Sequence, residues 1–179
     1  MSYSFLNTKI LVVEDNKPML LLLKSVLQSF GVGTIHTALN GEEGFHKFCS
    51  TNPDLVITDW LMRPCDGVEF SKKIRNNPRS PNQYVPIIMM TGFTEKKRVL
   101  SARDAGTTEF LAKPFNARDL YKRIHRIVES PRQFVRCEDF FGPDRRRSNP
   151  AEEYKGPFRR DDDTSDIIGN IPITHVDFV

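Results

Sequence analysis

The stretch Lys9–Asp15, KILVVED, decides the fold that we expect from this sequence. Lys9–Val13 is a short apolar run, which is typical of a strand buried on both faces of a parallel sheet. The run stops at two acids, Glu14 and Asp15. Pro18 follows shortly afterwards, at a position that suits the first turn of a helix. The stretch therefore predicts a strand, an acidic loop and a helix, in that order.

This alternation of strand and helix recurs through the first 130 residues. The predicted strands are Lys9–Val13, Gly33–Thr37, Asp54–Thr58, Val85–Met90 and Glu109–Ala112. The helices that follow them are predicted to begin near Asn16, Asn40, Asp66, Thr94 and Asn116. Short buried strands joined by helical crossovers imply an α/β fold of the (βα)5 type, a doubly wound, flavodoxin-like parallel sheet of five strands.

The composition changes near Ser130, so we divide the chain into a domain at 7–130 and a polar C-terminal tail at 131–179. The tail repeats one motif: Phe140-x-Gly142-Pro143-x-Arg145-Arg146 and Tyr154-x-Gly156-Pro157-x-Arg159-Arg160. One interpretation is an extended or partly disordered charged extension. The alternative is an arm that docks on a partner or back on the domain, with aromatic anchors and arginines that bind carboxylates or phosphates. Ile167–Val179 is apolar enough to form a short strand.

Composition excludes several classes of protein. The formal net charge of the 179 residues is +3, too small to indicate nucleic-acid binding by itself. Cys49, Cys65 and Cys137 are widely spaced and form no zinc motif, and such sparse thiols suit a reducing cytosol. The longest apolar run, Met19–Leu23, is far shorter than a membrane span. We therefore expect a soluble cytoplasmic protein without a membrane span.

Polar residues stand where the predicted strands end. Glu14 and Asp15 follow the first strand, Asp59 the third, Thr91 the fourth and Lys113 the fifth. In a parallel sheet of this type, ligands bind outside the carboxyl ends of the strands. Three carboxylates brought together there repel each other unless a cation joins them, and oxygen ligands of this kind suit Mg²⁺. A lysine and a hydroxyl facing them are what an incoming phosphoryl group needs.

With these residues in place, the sequence resembles the CheY-like receiver domain of response regulators in two-component signal transduction. The resemblance covers Asn7–Ser130. It depends on the following ordered motifs: Glu14-Asp15, Asp59 with Asp66-Gly67, Thr91-Gly92 and Lys113-Pro114-Phe115. Each motif alone is weak, but each one here stands at the end of its own strand or opens the following helix.

The resemblance implies a role for each matching residue. Asp59 matches the phosphoacceptor, and the implied metal site consists of Glu14, Asp15, Asp59 and the backbone carbonyl of Leu61. Thr91 and Lys113 match the residues that bind the phosphoryl group. Thr91 and Phe110 match the switch pair, in which the aromatic ring turns inward when the hydroxyl moves. The implied cofactor is Mg²⁺. The protein is then a phosphoacceptor switch that catalyses only its own phosphorylation and dephosphorylation, and not an enzyme with external substrates.

Three features depart from the family pattern or extend it. Met62 is followed by Arg63, and proline comes one position later than usual, at Pro64, which indicates a reshaped loop. Phe110 replaces the commoner tyrosine. Trp60 follows Asp59 directly, and we expect it at the rim of the crevice. We also hypothesise that Leu61 and Phe93, two residues past Asp59 and Thr91, hinder water from attacking the phosphorylated aspartate and so lengthen its lifetime.

No output domain is recognisable after residue 130, which favours a stand-alone response regulator that signals by protein–protein contact. Its donor would be a histidine kinase or a histidine phosphotransfer protein. One alternative is a transcriptional regulator whose arginine tail touches DNA, although the acids of the tail nearly cancel its arginines and disfavour this. Others are an intermediate relay protein and, more distantly, a Mg²⁺-dependent phosphatase. A homodimer that forms on phosphorylation is a further possibility, and the sequence does not identify the downstream protein.

Overall fold

A computed structural model describes residues 3–92, 102–137, 140–144, 166–170 and 177–178. Its helices are α1 (Lys17–Ser29), α2 (Gly41–Thr51), α3 (Gly67–Asn76) and α4 (Ala117–Glu129). Its strands are β1 (Tyr3–Ser4), β2 (Lys9–Val13), β3 (Thr34–Ala38), β4 (Leu55–Asp59), β5 (Ile87–Thr91), β6 (Glu109–Ala112), β7 (Gln133–Cys137), β8 (Phe140–Pro143), β9 (Asp166–Asn170) and β10 (Asp177–Phe178).

The central sheet has five parallel strands in the order β3-β2-β4-β5-β6, which confirms the predicted doubly wound fold. The pairing register aligns the carboxyl ends of the strands. Val13 pairs with Thr58, Asp59 with Met90, and Thr91 with Ala112. The acids after β2, the end of β4, the end of β5 and the residue after β6 therefore meet at one edge.

Each strand supplies side chains to two hydrophobic cores, one on each face of the sheet. On β2, Ile10 and Val12 pack towards α1 and α4, whereas Leu11 and Val13 pack towards α2 and α3. All four side chains are 0% exposed. Burial on both faces explains why β2 and β4 are continuous apolar runs in the sequence, without the alternation of a half-exposed strand.

Polar caps start the helices where the sequence predicts them. Asn16, Asn40, Asp66 and Asn116 each accept a hydrogen bond from the backbone amide three residues later. The helix predicted from Thr94 lies mostly outside the described residues. Its last described turn is helical at 102–104 and is followed by Gly106, whose φ of +85° favours glycine.

Two further sheets involve the segment after Ser130. Strands β8, β7 and β9 form an antiparallel sheet in that order, and β10 pairs antiparallel with β1 near the N-terminus. The strand predicted within Ile167–Val179 corresponds to parts of β9 and β10. Among the residues that the structure describes, no helix is both long and apolar enough to cross a membrane.

Candidate functional site

Asp59 is positioned by the turn that brings the chain back over the end of β4. Gly67 begins α3 there, and its amide donates a hydrogen bond of 3.0 Å to the carbonyl of Trp60. A Cβ atom on Gly67 would lie 2.1 Å from the backbone oxygen of Asp59. Real Cβ atoms do not approach so closely, so only glycine allows this return. The Asp66-Gly67 motif thus has a steric reason as well as a capping one.

Three carboxylates converge at the carboxyl end of the sheet. One carboxylate oxygen each of Glu14, Asp15 and Asp59 lies within 4.8 Å of the other two. Glu14 is 1% exposed and Asp59 8%, whereas Asp15 is exposed to solvent. Two acids of the cluster are therefore buried, and the third faces solvent.

Lys113 supplies the positive charge that faces this cluster. Its Nζ atom lies 2.8 Å from Oδ1 of Asp59 and 2.9 Å from Oε2 of Glu14. The backbone amide of Lys113 donates to the carbonyl of Thr91 at 2.8 Å, which fixes the lysine at the end of β6. One lysine bridges two of three carboxylates, and the group retains a formal excess of negative charge.

Burial and these ion pairs shift two pKa values. Burial raises the pKa of Glu14 above its ordinary value of 4.5, and the charge of Asp59 acts in the same direction, while the hydrogen bond from Lys113 offsets part of the rise. Burial lowers the pKa of Lys113, but its hydrogen bonds to Asp59 and Glu14 outweigh that effect and raise it overall. Lys113 is therefore charged at neutral pH.

The donor set fits a hard divalent cation. It consists of oxygen atoms alone, and its three carboxylates carry more negative charge than the single positive charge of Lys113 can balance. Such a set suits Mg²⁺, which binds through a few carboxylates and keeps several waters. Leu61, whose carbonyl was predicted to complete the site, follows Trp60 and has a side chain that is 55% exposed.

The predicted switch residues lie on neighbouring strands. Thr91 ends β5 and is 3% exposed. Phe110 lies on β6, is partly buried, and packs against a small cluster that contains Trp60, Met89 and Ala105. Trp60 is 8% exposed and belongs to this cluster, so its expected place at the crevice rim is wrong, whereas Leu61, two residues after Asp59, is 55% exposed.

Comparison with known proteins agrees with this geometry. The family model described as the response regulator receiver domain matches residues 10–125. The chain belongs to this family. Among curated proteins, the chain is 28% identical to the chemotaxis protein CheY-3 of Vibrio cholerae over 123 residues, which covers 69% of this chain and 93% of that protein. It is 29% identical to CheY of Pseudomonas aeruginosa over 121 residues, with coverage of 68% and 96%.

Solved structures give the same result for the fold. CheY4 of Vibrio cholerae superimposes with a TM-score of 0.63 at 30% identity, covering 68% of this chain and 98% of that one. A two-component response regulator from Clostridium difficile superimposes with a TM-score of 0.62 at 32% identity, covering 69% and 97%. As a receiver domain, the chain is a phosphoaccepting signalling switch of two-component systems. Strands β7 to β10 lie outside the residues that the family model matches.

The tail residues singled out in the sequence are only partly described. Phe140 lies on β8, pairs with Cys137, and is half-buried. The other five predicted tail contacts lie outside the described residues: Arg145, Arg146, Tyr154, Arg159 and Arg160. The first repeat therefore belongs in part to a strand that packs next to the receiver domain.

Sequence reasoning missed two buried charged residues at the opposite edge of the sheet. Arg75, at the end of α3, is 1% exposed, and Glu109, at the start of β6, is 4% exposed. Glu109 forms ion pairs with Arg123 and Arg132 at 3.3 Å and with Arg126 at 3.6 Å. The one available signal was an acid at the start of an otherwise apolar strand, with arginines on the following helix.

Proposed function

We propose that Asp59 of this receiver accepts a phosphoryl group from a histidine kinase or a histidine phosphotransfer protein. The chain then signals by protein–protein contact as a stand-alone response regulator in the cytoplasm. The observation that carries the proposal is the position of Lys113, whose Nζ bridges Asp59 and the buried Glu14 beside an exposed Asp15. Glu14, Asp15, Asp59 and the Leu61 carbonyl are the proposed Mg²⁺ ligands.

The proposed reaction is transfer to a carboxylate oxygen of Asp59. The P–N bond of the donor phosphohistidine breaks, its electron pair stays on the imidazole nitrogen, and a P–O bond forms at Asp59. The aspartyl phosphate carries close to two negative charges, where the free carboxylate carried one. Lys113 neutralises part of that charge, and Thr91 supplies a hydroxyl donor at the end of the next strand. A bound Mg²⁺ would supply the remaining neutralisation and orient the phosphoryl oxygens.

The approach to Asp59 is open enough for a donor. The side chain of Asp59 is 12% exposed and that of Lys113 is 24% exposed. Helix α1, which begins two residues after Asp15, carries two exposed leucines, Leu21 and Leu22, at 65% and 53%. Exposed apolar side chains next to a reactive group suit a partner surface. We propose α1 as part of the face that receives the phosphodonor.

The output is proposed to run through Thr91 and Phe110. A phosphoryl group on Asp59 offers the Thr91 hydroxyl a strong acceptor. Phe110 packs loosely enough to change rotamer, since it is only partly buried at the margin of its cluster. A shift in the population of these two side chains would change the face around β5 and β6 that a downstream protein, or a second copy of the chain, contacts.

The experiment is intact-mass spectrometry after incubation with acetyl phosphate and Mg²⁺. Wild type should gain one phosphoryl group, and Asp59→Asn should gain none. Asp104→Asn is the matched control, because Asp104 is an exposed carboxylate that pairs with Arg103 and does not belong to the acidic cluster. It should be phosphorylated as wild type is. No gain in wild type with acetyl phosphate or with a phosphorylated histidine donor would overturn the proposal.

A further inference from the structure

The first part of the tail is docked on the receiver. We call strands β7 and β8 the arm, and Arg75, Tyr84 and Gly106 the seat. Within the arm, Phe134 is 3% and Val135 9% exposed, and Gly142 and Pro143 are buried. Burial of this kind means that the arm belongs to the folded unit, as the docked alternative in the sequence analysis requires.

Aromatic rings form one part of the contact. The ring centroid of Tyr84 lies 5.2 Å from those of both Phe134 and Phe141, with edge-to-face geometry. Phe134 and Phe141 lie 5.8 Å apart on paired strands. Three rings at such distances favour one arrangement of the arm over others.

Two glycines form the second part. A Cβ on Gly142 would lie 2.9 Å from the Cα of Gly106, and a Cβ on Gly106 would lie 2.8 Å from Cγ of Arg75. The backbones therefore touch, and neither residue has room to spare. A displacement of a few tenths of an ångström at Gly106 must move the arm, because close-packed backbones have no soft side chain to absorb it.

Arg75 ties the seat together without a carboxylate. Its Nε and Nη2 atoms donate to the carbonyl of Gly106 at 3.0 and 2.8 Å, and Nη1 donates to the carbonyl of Gln83 at 2.7 Å. The guanidinium carbon lies 5.1 Å from the ring centroid of Phe134. Burial lowers the pKa of Arg75 to about 9, which still leaves it charged at neutral pH.

Strand β6 connects this contact to the phosphoacceptor site. At its carboxyl end, Lys113 binds Asp59. At its amino end, Glu109 binds Arg132, the residue immediately before the arm. The two ion pairs lie four residues apart, roughly 13 Å along one strand. A change in the interactions of Lys113 therefore acts on β6, the strand whose other end binds Arg132 just before the arm.

A second connection runs through side-chain packing. Trp60, next to Asp59, belongs to the buried cluster that includes Ala102 and Ala105, and Phe110 packs on that cluster. Ala105 directly precedes Gly106 of the seat. A rearrangement around Asp59 and Phe110 therefore reaches Gly106 through contiguous contacts.

We propose that docking of the arm and phosphorylation of Asp59 are coupled, so that phosphorylation loosens the arm. The proposal rests on the proposed function, since it requires Asp59 to be the acceptor. The phosphoryl group competes with the carboxylates for Lys113, which disturbs both ends of β6. The tight contact between Gly106 and Gly142 converts that disturbance into release of the arm. By thermodynamic reciprocity, an unseated arm must favour the phosphorylated state by the same factor.

The first test is hydrogen exchange in the full chain, with and without acetyl phosphate and Mg²⁺, once intact mass has confirmed the phosphoryl group. Amides of β7 should exchange at least about 5-fold faster in the phosphorylated protein, which is the lower end of ordinary coupling. Asp59→Asn should show no change. Equal exchange in a protein whose mass has risen would overturn the coupling alone. An unchanged mass would instead remove the proposed function, and the coupling with it.

The second test runs in the reverse direction and measures the affinity for beryllium trifluoride with Mg²⁺, as a stable substitute for the phosphoryl group. Gly142→Leu should unseat the arm and tighten this binding by about 5-fold or more. Phe141→Ala, a milder change, should act in the same direction if Gly142→Leu does not fold. Val32→Ala is the control, because it weakens the core on the other face of the sheet. Unchanged affinity in both folded arm variants would contradict the proposal, as would an equal gain in Val32→Ala.

Discussion

The two edges of the central sheet carry an excess of charge of opposite sign. At the carboxyl edge, three carboxylates meet one lysine, Lys113. At the amino edge, one carboxylate, Glu109, meets three arginines. The buried Arg75 donates to the backbone carbonyls of Gly106 and Gln83 and is covered by the ring of Phe134. One edge is left with negative charge, and the other is rich in positive charge.

The difference indicates that the carboxyl edge is the one suited to bind a ligand. Each hydrogen bond of the buried Arg75 guanidinium described above ends on the chain's own carbonyls, and Glu109 is surrounded by the chain's own arginines. The buried charged groups of that edge thus have their partners within the chain, and part of the excess positive charge is exposed to solvent, as at Arg126. The carboxyl edge keeps an exposed acid, Asp15, and more negative charge than its lysine can offset, so a cation stabilises it. Substitutions at the carboxyl edge should therefore reduce phosphorylation, whereas substitutions at the amino edge should reduce stability.

The largest effect is expected at the carboxyl edge, for Lys113→Met. Removal of the ammonium group leaves the charge that develops on the phosphoryl oxygens without its nearby protein cation. Loss of one such electrostatic contact costs roughly 100-fold in rate or more. The measurement is the initial rate of phosphorylation by acetyl phosphate, followed by intact mass at saturating Mg²⁺.

Lys73→Met is the control for this prediction. Lys73 also pairs with a carboxylate, that of Glu42, but the pair is exposed and lies on α2 and α3. It should be phosphorylated at the wild-type rate. A Lys113→Met rate within a few-fold of wild type would mean that the lysine only holds Glu14 and Asp59 in place.

The next effect is expected at the amino edge, for Arg75→Met. The thioether side chain keeps much of the packing volume but leaves the carbonyls of Gly106 and Gln83 without their buried donor. An unsatisfied buried carbonyl costs about 1–3 kcal/mol, and relief of the guanidinium's desolvation returns part of that. We expect a loss of about 2 kcal/mol in the free energy of unfolding, measured with urea, and phosphorylation that still occurs.

Arg79→Met provides the comparison, because Arg79 is exposed on the loop after α3. Surface changes of this kind stay within about 0.5 kcal/mol. If Arg75→Met were as stable as wild type, the guanidinium's hydrogen bonds would only balance its cost of burial, and the amino edge would not depend on them.

The contrast between the edges also separates what the sequence could predict from what it could not. Glu14, Asp59, Thr91 and Lys113 each follow or end a short apolar run, and a parallel sheet must bring such ends together. The fold and the composition of the carboxyl edge could therefore be predicted from local pattern. Trp60 could not, because the pattern does not say to which side of the chain an aromatic ring next to the site turns.

Arg75 lay beyond sequence reasoning for a different reason. It stands in a basic helix end, KKIRNN, which is typical of a solvent-exposed segment. Its burial depends on Phe134 and on the carbonyl of Gly106, which come 59 and 31 residues later in the chain. Neither the position of these residues in the sequence nor the composition around them predicts the contact with Arg75. Long-range packing of a polar tail thus decided the environment of a residue that looked exposed.

The smallest expected effect is a shift in the pH at which the affinity for Mg²⁺ declines. It tests Glu14, the buried acid of the carboxyl edge. Burial raises the pKa of Glu14 above 4.5. Protons compete with Mg²⁺ for this carboxylate, so the affinity for Mg²⁺ is complete above the raised pKa and falls as the pH drops through it. The decline, measured by calorimetry, should begin at a higher pH than an ordinary carboxylate would give.

Two variants test whether Glu14 is the group responsible. Glu14→Gln should bind Mg²⁺ more weakly and lose this part of the pH dependence, whereas Glu42→Gln, an exposed acid, should keep the wild-type profile. The metal-free protein should respond with the opposite sign. A raised carboxyl pKa contributes stability that is present below the unfolded-state pKa and is lost as the pH rises through the folded-state pKa. Opposite pH trends for metal affinity and for metal-free stability would therefore identify one buried carboxylate as the source of both.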